Sequence, residues 1–558
     1  QLPSLSWQAG ESKQLTIVSR RWYHQSQIKN QVLFIDGGIE SFSDRSIIQD
    51  VCFTFGRYNY IIAIDMNMSW DWESNITEAV INKTLDSPTG NPPPNIQNAA
   101  LFRGPSQDLQ VYLYGGITPS VNQSFPDLQY PTTNQYTLWG FNTETHTWTQ
   151  YDLFSEVPER PSQGAAAEAS DLGLEFYMNG MITQWSSPST SYLGNQSLFL
   201  SGMVILDLNT KTVPSLISSL ATNRSTDIVT NGYPRVRGGI IYVPGLGPQG
   251  VLVTVGGAIQ SSGSLDLGNF FSLVSMDQAN IFDVSTALPT YNGSDNGWYT
   301  QTIIGTTPEP RVDFCLVLAS APDNSSHNIF MYVGLLSLLG WDPSQQNKYF
   351  DEIWVLSLPS FTWIAIYNGT SPRFGHTCHA VGNRQMITIG SVDNVNAADY
   401  CDWEFKSVAI YDMTDGGGSR NGWGSVFSPY DAPYQVNDVI SAAIGGNLNG
   451  NATKLLPNGG WSSTLIAHLF TGTDNQTAPV GLGGMSTTTR SSHIDHTPII
   501  AGTVGGAVAL FLVAFLALLW KRYRAAILKK RQQENQQEQF LKTELPNGRD
   551  LSTRFSSS

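Results

Sequence analysis

The chain has 558 residues, of which only 13% are charged, while Gly (51), Trp (15) and Tyr (22) are abundant. That length exceeds one ordinary compact core and calls for a repeat or several domains, and the composition suits many short strands joined by glycine-rich turns. The net charge of −15 is uneven: from Lys521 onward nine basic residues face four acidic ones, a balance of +5, which leaves −20 on the rest and excludes a nucleic-acid-binding body.

The chain opens on Gln1 rather than a methionine, as expected of a chain whose secretory signal peptide has been removed. An alternating strand ending in glycine then recurs six times, at 31–38 (QVLFIDGG), 110–116 (QVYLYGG), 174–180 (LEFYMNG), 251–257 (VLVTVGG), 329–334 (IFMYVG) and 385–390 (QMITIG). After each comes an insertion and a second apolar strand, at 60–66, 137–143, 203–210, 279–286, 352–360 and 408–414. A tryptophan usually follows: Trp70 or Trp72, then Trp148, Trp298, Trp363 and Trp423, with Val213 near the equivalent place in the third unit. A further strand precedes each glycine strand, most legible at 21–28 (RWYHQSQI), 311–319 (RVDFCLVLA) and 373–381 (RFGHTCHAV).

This order predicts a four-stranded propeller blade, and six of them predict an all-β, six-bladed ring. Paired glycines allow positive φ and a close approach to neighbours. The indole is a large apolar wedge between adjacent blades. A lone blade cannot bury both faces, so the ring must close. The glycine strands are expected on the channel side, and segment 15–19 is expected to add an outer strand that closes the ring. The long insertions after the glycine strands are where binding is expected.

Past the sixth unit, Val436, Val439, Ile440, Ala443 and Ile444 fall on one helical face ended by Gly445 and Gly446, which reads as a helix packed on the propeller. Segment 471–497 is Gly/Ser/Thr-rich without hydrophobic periodicity and reads as a stalk. Segment 499–520 (IIAGTVGGAVALFLVAFLALLW) carries no charge and matches the roughly 30 Å hydrocarbon core of a bilayer. Lys521, Arg522, Arg524, Lys529, Lys530 and Arg531 follow it, which places the C-terminus in the cytoplasm. The expected domains are thus an extracellular propeller at 1–470, a stalk at 471–497, a transmembrane helix at 498–520 and a tail at 521–558. Together they describe a type I plasma-membrane protein. Gly502 and Gly506 form a small-xxx-small pair that could support a dimer.

Sequons support that orientation: Asn67, Asn75, Asn82, Asn122, Asn195, Asn223, Asn292, Asn324, Asn368, Asn451 and Asn475 all precede the apolar segment. So do the four cysteines. Cys378 and Cys401, both in the sixth unit, are the expected disulfide. Cys315 lies in an apolar strand, and Cys52 in the first unit is a competing partner.

The glycine strands, the tryptophans and the segments 321–331 (APDNSSHNIFM) and 375–390 resemble the kelch repeat, and most nearly fungal membrane-anchored kelch proteins. Those share the propeller superfamily of the galactose-oxidase central domain. The resemblance covers roughly 20–470 and implies a kelch-type β-propeller. It also raises a copper-radical oxidase as a rival, but that family's ligand motifs match no positions here. His376 and His379 carry no metal assignment, because an odd separation along a strand points them to opposite faces. No catalytic, cofactor-binding or metal-binding residue is therefore singled out. Trp185, Trp341 and Trp403 in the insertions are sugar-stacking candidates, though loop packing is the plainer role for each. The leading expectation is a cell-surface, wall-associated recognition or scaffold glycoprotein that binds a protein or polysaccharide. The alternative is a receptor signalling through its Gln-rich, Ser-ended tail.

Overall fold

The computed structural model describes residues 18–43, 52–56, 60–74, 76–83, 93–118, 138–151, 153, 160–210, 221–226, 229, 233–260, 271–336, 348–382, 384–391, 408–415 and 422–472. These are mostly strands, with two short α-helices. Six antiparallel four-stranded sheets are present among them, each built from one contiguous stretch and ordered first to fourth as in the sequence. In unit 1 the strands are Gln25–Lys29, Val32–Asp36, Tyr60–Asp65 and Glu78–Asn82. The first strands of the other units are Ala100–Phe102, Ala165–Ala169, Gly239–Val243, Cys315–Ser320 and Thr377–Val381.

Each first strand lies beside the first strand of the next unit, and the sixth lies beside the first. The order is that of a β-propeller-like ring. The innermost strand is therefore the one before the glycine strand. The glycine strands, expected on the channel side, are second from the axis.

One hydrogen bond repeats around the whole ring. The N–H after each glycine strand donates to a carbonyl at the start of the next unit: Gly38 to Ile96 (2.9 Å), Gly116 to Pro161 (2.8 Å), Gly180 to Arg235 (3.1 Å), Gly257 to Arg311 (3.0 Å), Gly334 to Arg373 (3.4 Å) and Ser391 to Arg21 (2.6 Å). The first glycine of the pair shows why a side chain is excluded there. A Cβ on Gly37 (φ +64°) would stand 2.0 Å from Ile96 O, and one on Gly115 (φ +74°) 2.1 Å from Pro161 O.

Six apolar clusters fill the six seams between sheets. Trp148, Trp298 and Trp363 begin or lie in fourth strands and are buried against the preceding unit. Trp363 also donates its indole N–H to Met276 O of unit 4 at 2.9 Å. Trp423 is only half-buried and meets the Tyr332 ring of unit 5 at 4.9 Å, tilted by 55°. In unit 1 the wedge comes from Trp70 and Trp72, which precede the fourth strand and pack on unit 6. Trp70 pairs with Phe427, in a two-stranded ladder that joins the two ends of the repeat. This ladder ties the first and last units. Of the segment 15–19 expected to add an outer strand, residues 15–17 lie outside the described residues, and Val18–Trp22 pairs with Ile39–Ser43 within unit 1.

Cys378 is joined to Cys315, with Cα atoms 5.9 Å apart, so the expected Cys378–Cys401 bond is corrected. The first strands of units 5 and 6 run side by side, which brings these two cysteines together. Cys401 lies outside the described residues.

Helix α1 (Asp438–Ile444) is capped by the Asn437 side chain and buries Ile440 and Ile444 on the outer strands of unit 5. Val439 stays 41% exposed, so the apolar face is narrower than the sequence pattern. Helix α2 (Thr464–Thr471) follows; Leu469 O accepts the Gly247 N–H at 2.8 Å, in the turn between the first two strands of unit 4. Phe361, in the turn between the last two strands of unit 5, meets Trp461 and Phe470. Strand reversal puts both turns at the end of the ring opposite the insertions. Among the described residues no helix is long and apolar enough to cross a membrane. The expected stalk beyond residue 472, segment 498–520 with Gly502 and Gly506, and the expected tail lie outside them.

Replacing Gly115 with alanine should cost about 3 kcal/mol or more in denaturant unfolding, because both φ and the neighbouring carbonyl oppose a Cβ. Gly424, with nothing within 4 Å of its Cβ position, should tolerate alanine within about 0.5 kcal/mol. Non-reducing peptide mapping should recover Cys315 linked to Cys378. Reducing that 63-residue closure should cost about 4 kcal/mol in the chain-entropy account.

Candidate functional site

All connections between second and third strands emerge at the end of the ring that carries the repeated glycine bond. In unit 1 this insertion is the hairpin Ile39–Ser43 with Cys52–Gly56. In unit 3 it is Met181–Thr183 with Ser197–Phe199, enclosing a 3-10 turn at Pro188–Leu193. In unit 4 it is Ala258–Gln260 with Phe271–Leu273. Beneath them lies an apolar floor of Trp22, Val236, Ala258, Val312, Leu335 and Phe374. The insertions of units 2 and 6, including Trp403, and Trp341 in unit 5 lie outside the described residues.

At the axis the six units contribute one residue each, and all six have positive φ: Tyr23, Asn98, Gln163, Arg237, Asp313 and Gly375. They are linked through their own backbones. Asn98 N–H donates to Tyr23 O (2.9 Å), Gln163 to Asn98 (3.2 Å), Arg237 to Gln163 (2.7 Å), Asp313 to Arg237 (3.1 Å) and Tyr23 to Gly375 (2.8 Å). Holding five non-glycine residues in the left-handed region requires the surrounding ring to over-determine them. Their half-buried side chains form an axial mouth that contains a phenol, two amides and an ion pair. Arg237 Nε donates to Asp313 Oδ1 at 2.7 Å. Burial, with Asp313 close by, pushes the Tyr23 phenol up to about 12. The Tyr23 ring fills the space where Gly375 would carry a Cβ, at 3.2 Å.

Below the mouth, the innermost strands of units 6 and 1 meet through polar side chains. His24 Nε2 meets Thr377 Oγ1 at 2.9 Å, and His379 Nε2 meets Ser26 Oγ at 2.8 Å. His24 and His376 each follow an axial residue, so they occupy the same place in their units. His376 faces Tyr332 of unit 5 at 5.3 Å, while His379 faces unit 1, the opposite sides expected from their spacing. Burial pushes His379 down to about 4 and His376 to about 3. It also lowers His24 well below the ordinary range, helped by Arg21. Among the described residues no group of three His, Cys, Asp or Glu could hold a metal ion.

The eight described sequon asparagines, Asn67, Asn82, Asn195, Asn223, Asn292, Asn324, Asn368 and Asn451, are all exposed, while Asn75, Asn122 and Asn475 lie outside the described residues. Trp185 is 36% exposed and Tyr192, in the same insertion, 75%. That insertion is held by its own hydroxyls: Thr190 Oγ1 donates to Thr183 O at 2.8 Å, and the Ser187 N–H donates to Thr190 Oγ1 at 3.0 Å. The axial residues were missed in the sequence. Their signal was present at the starts of the legible first strands, two positions after Arg21, Arg235, Arg311 and Arg373.

No family model matches the chain. It is 24% identical over 563 residues to a kelch repeat-containing protein of Arthroderma benhamiae, covering 92% of this chain and 76% of that one. The solved structure of YjhT superposes with a TM-score of 0.44 at 11% identity, over 71% of this chain and 96% of that one. The relative of Arthroderma benhamiae supports a kelch-repeat protein.

The buried histidines, His24 and His379 at the 6/1 seam and His376 facing unit 5, predict an acid-sensitive ring. Their folded-state values are depressed, so their contribution is complete above the ordinary 6.5 and is lost as pH falls through about 4 and 3. The urea midpoint should fall between about pH 7 and pH 4, and His379→Gln should shrink that fall.

Proposed function

We propose that the chain is a cell-surface recognition or scaffold glycoprotein, a six-bladed kelch-type propeller that binds a protein or polysaccharide through its insertion face. The observation that carries this is the division of labour between the two ends of the ring. One end gathers the insertions, the axial mouth and the exposed Trp185 and Tyr192. Turns at the other end are partly covered by α2 and the segment before it. Loops on a rigid scaffold are the usual place for binding. Exposure of the eight described sequon asparagines supports the glycoprotein reading. The uncharged segment 499–520 and the basic residues after it support a type I membrane anchor. The kelch-repeat relative is consistent with an interaction propeller.

The test offers the full chain to a glycan array and to fractionated cell-surface extract, then maps hydrogen exchange with the retained ligand. Protection is expected in the insertion hairpins at 39–43, 181–199 and 258–260. Trp185→Ala with Tyr192→Ala should weaken binding about tenfold or more. Protection confined to 438–472 would overturn the assignment of the face.

A further inference from the structure

At the end of the ring away from the insertions, units 1, 2 and 3 meet around three charged side chains. Lys29 ends the first strand of unit 1. Glu168 and Glu175 stand directly opposite each other on the first two strands of unit 3. Between them and Lys29 runs the turn 103–105 of unit 2, whose peptide groups are divided between the two signs of charge. The N–H of Arg103 donates to Glu168 Oε2 at 2.8 Å, and that of Gly104 to Glu175 Oε1 at 3.1 Å. The carbonyls of Arg103 and Pro105 both accept from Lys29 Nζ at 2.8 Å. Gln27 Nε2 of unit 1 also donates to Glu168 Oε2, at 3.0 Å.

Lys29 is 1% exposed and Glu175 is 0% exposed, and Glu175 Oε2 has no hydrogen-bond partner. Two ionised carboxylates opposed across a strand pair repel, and a buried carboxylate oxygen without a donor is costly. One proton removes both difficulties at once.

We propose that Glu168 and Glu175 hold one proton between them in the folded ring, and that losing it as pH rises leaves two opposed like charges, which drive the pair apart, pull it from turn 103–105 and loosen the seam between units 2 and 3. Among the described residues that seam is the one without a tryptophan; its core is Ala100, Phe102, Tyr112, Tyr114 and Leu138 against Tyr177, Val204, Leu206 and Leu208. The groups facing the pair are Lys29 from unit 1, and Arg103 and Tyr112 from unit 2. Burial first, and then the Glu168 charge, raises Glu175 well above the ordinary 4.5; burial raises Glu168 as well. The proton belongs to the pair. Above pH 4.5 the folded state therefore keeps a proton that the unfolded chain has lost, so stability falls as pH rises. Lys29 acts in the opposite sense. Burial pushes it down to about 8 from 10.5, so over that interval its contribution rises with pH and cannot produce an alkaline loss.

Thermal unfolding of the full chain between about pH 5 and pH 10 tests the proposal. The wild-type midpoint should fall as pH rises from about 5 to 8, the range below the one in which Lys29 opposes the loss. Glu175→Gln keeps an oxygen for the Gly104 N–H and supplies a permanent N–H in place of the shared proton. Its midpoint should stay flat up to about pH 8, above which Lys29 raises it, and should exceed wild type at pH 9; Glu168→Gln should flatten the profile below pH 8 in the same way if the first variant fails to fold. Protection factors for the Arg103 and Gly104 amides should drop about tenfold between pH 6 and pH 9 in the wild type and hold in the variant. An unchanged slope between pH 5 and pH 8 in the folded variants, or a wild type without one, would overturn it.

Discussion

A single backbone hydrogen bond, made six times, is the constraint on which this ring depends. It runs from the N–H after each glycine strand to the carbonyl that opens the next unit. The donor can reach that carbonyl only if the strand turns sharply into positive φ and nothing projects from the turn. Gly37 and Gly115 meet both conditions, and a Cβ on either would stand only 2.0 or 2.1 Å from a neighbouring carbonyl oxygen. Asn179 and Val333 hold the same place in units 3 and 5 with φ of 54° and 49°, so the turn is required even where glycine is missing. In these two units the ring imposes a backbone that the residue itself disfavours. The axial circuit of Tyr23, Asn98, Gln163, Arg237, Asp313 and Gly375 sits one step inside the same closure.

Packing then follows from geometry. Once neighbouring sheets are fixed at their inner ends, their outer parts diverge, and the gap must be filled with large side chains. Trp148, Trp298 and Trp363 do so from fourth strands, and Trp70 and Trp72 do so from a connecting segment. The seams differ in how they are secured. The 5/6 seam carries a covalent link between inner strands. The 6/1 seam joins distant parts of the chain through hydroxyls, imidazoles and the short ladder of Val426 and Phe427 with Trp70 and Asp71. Burial of neutral His24 and His379 there makes that junction a pH-dependent one.

The second and third strands of every unit were legible in the sequence, because alternation ending in glycine and the following apolar run are both local signals. The first strands were harder. In unit 1 the run 21–28 reads as one strand, yet the backbone breaks at Tyr23 (φ 55°) and the two halves join different sheets. A positive φ at a tyrosine leaves no mark in a hydrophobic pattern. The cysteine pairing failed for a related reason: nearness along the chain favoured Cys401, whereas the ring places Cys315 beside Cys378. The candidate site divides in the same way. Long insertions and exposed sequons follow from composition and spacing, but the axial mouth needs the closed ring before its six contributors become neighbours. The opposed positions of Glu168 and Glu175 become visible only once strand register is known.

The contiguity of each sheet has a temporal side. Every unit can pair its own four strands as soon as they leave the ribosome, but the carbonyl of Arg21 waits for the N–H of Ser391, 370 positions later. At translation rates of 5–20 residues per second, that interval is roughly 20 to 75 s. Throughout it, the face of unit 1 that later packs on unit 6, with Leu33, Ile35, Ile62 and Ile64, has no partner. The nascent chain is thus an open arc with one adhesive end for most of its synthesis, and shielding that end is a task for the compartment in which it folds.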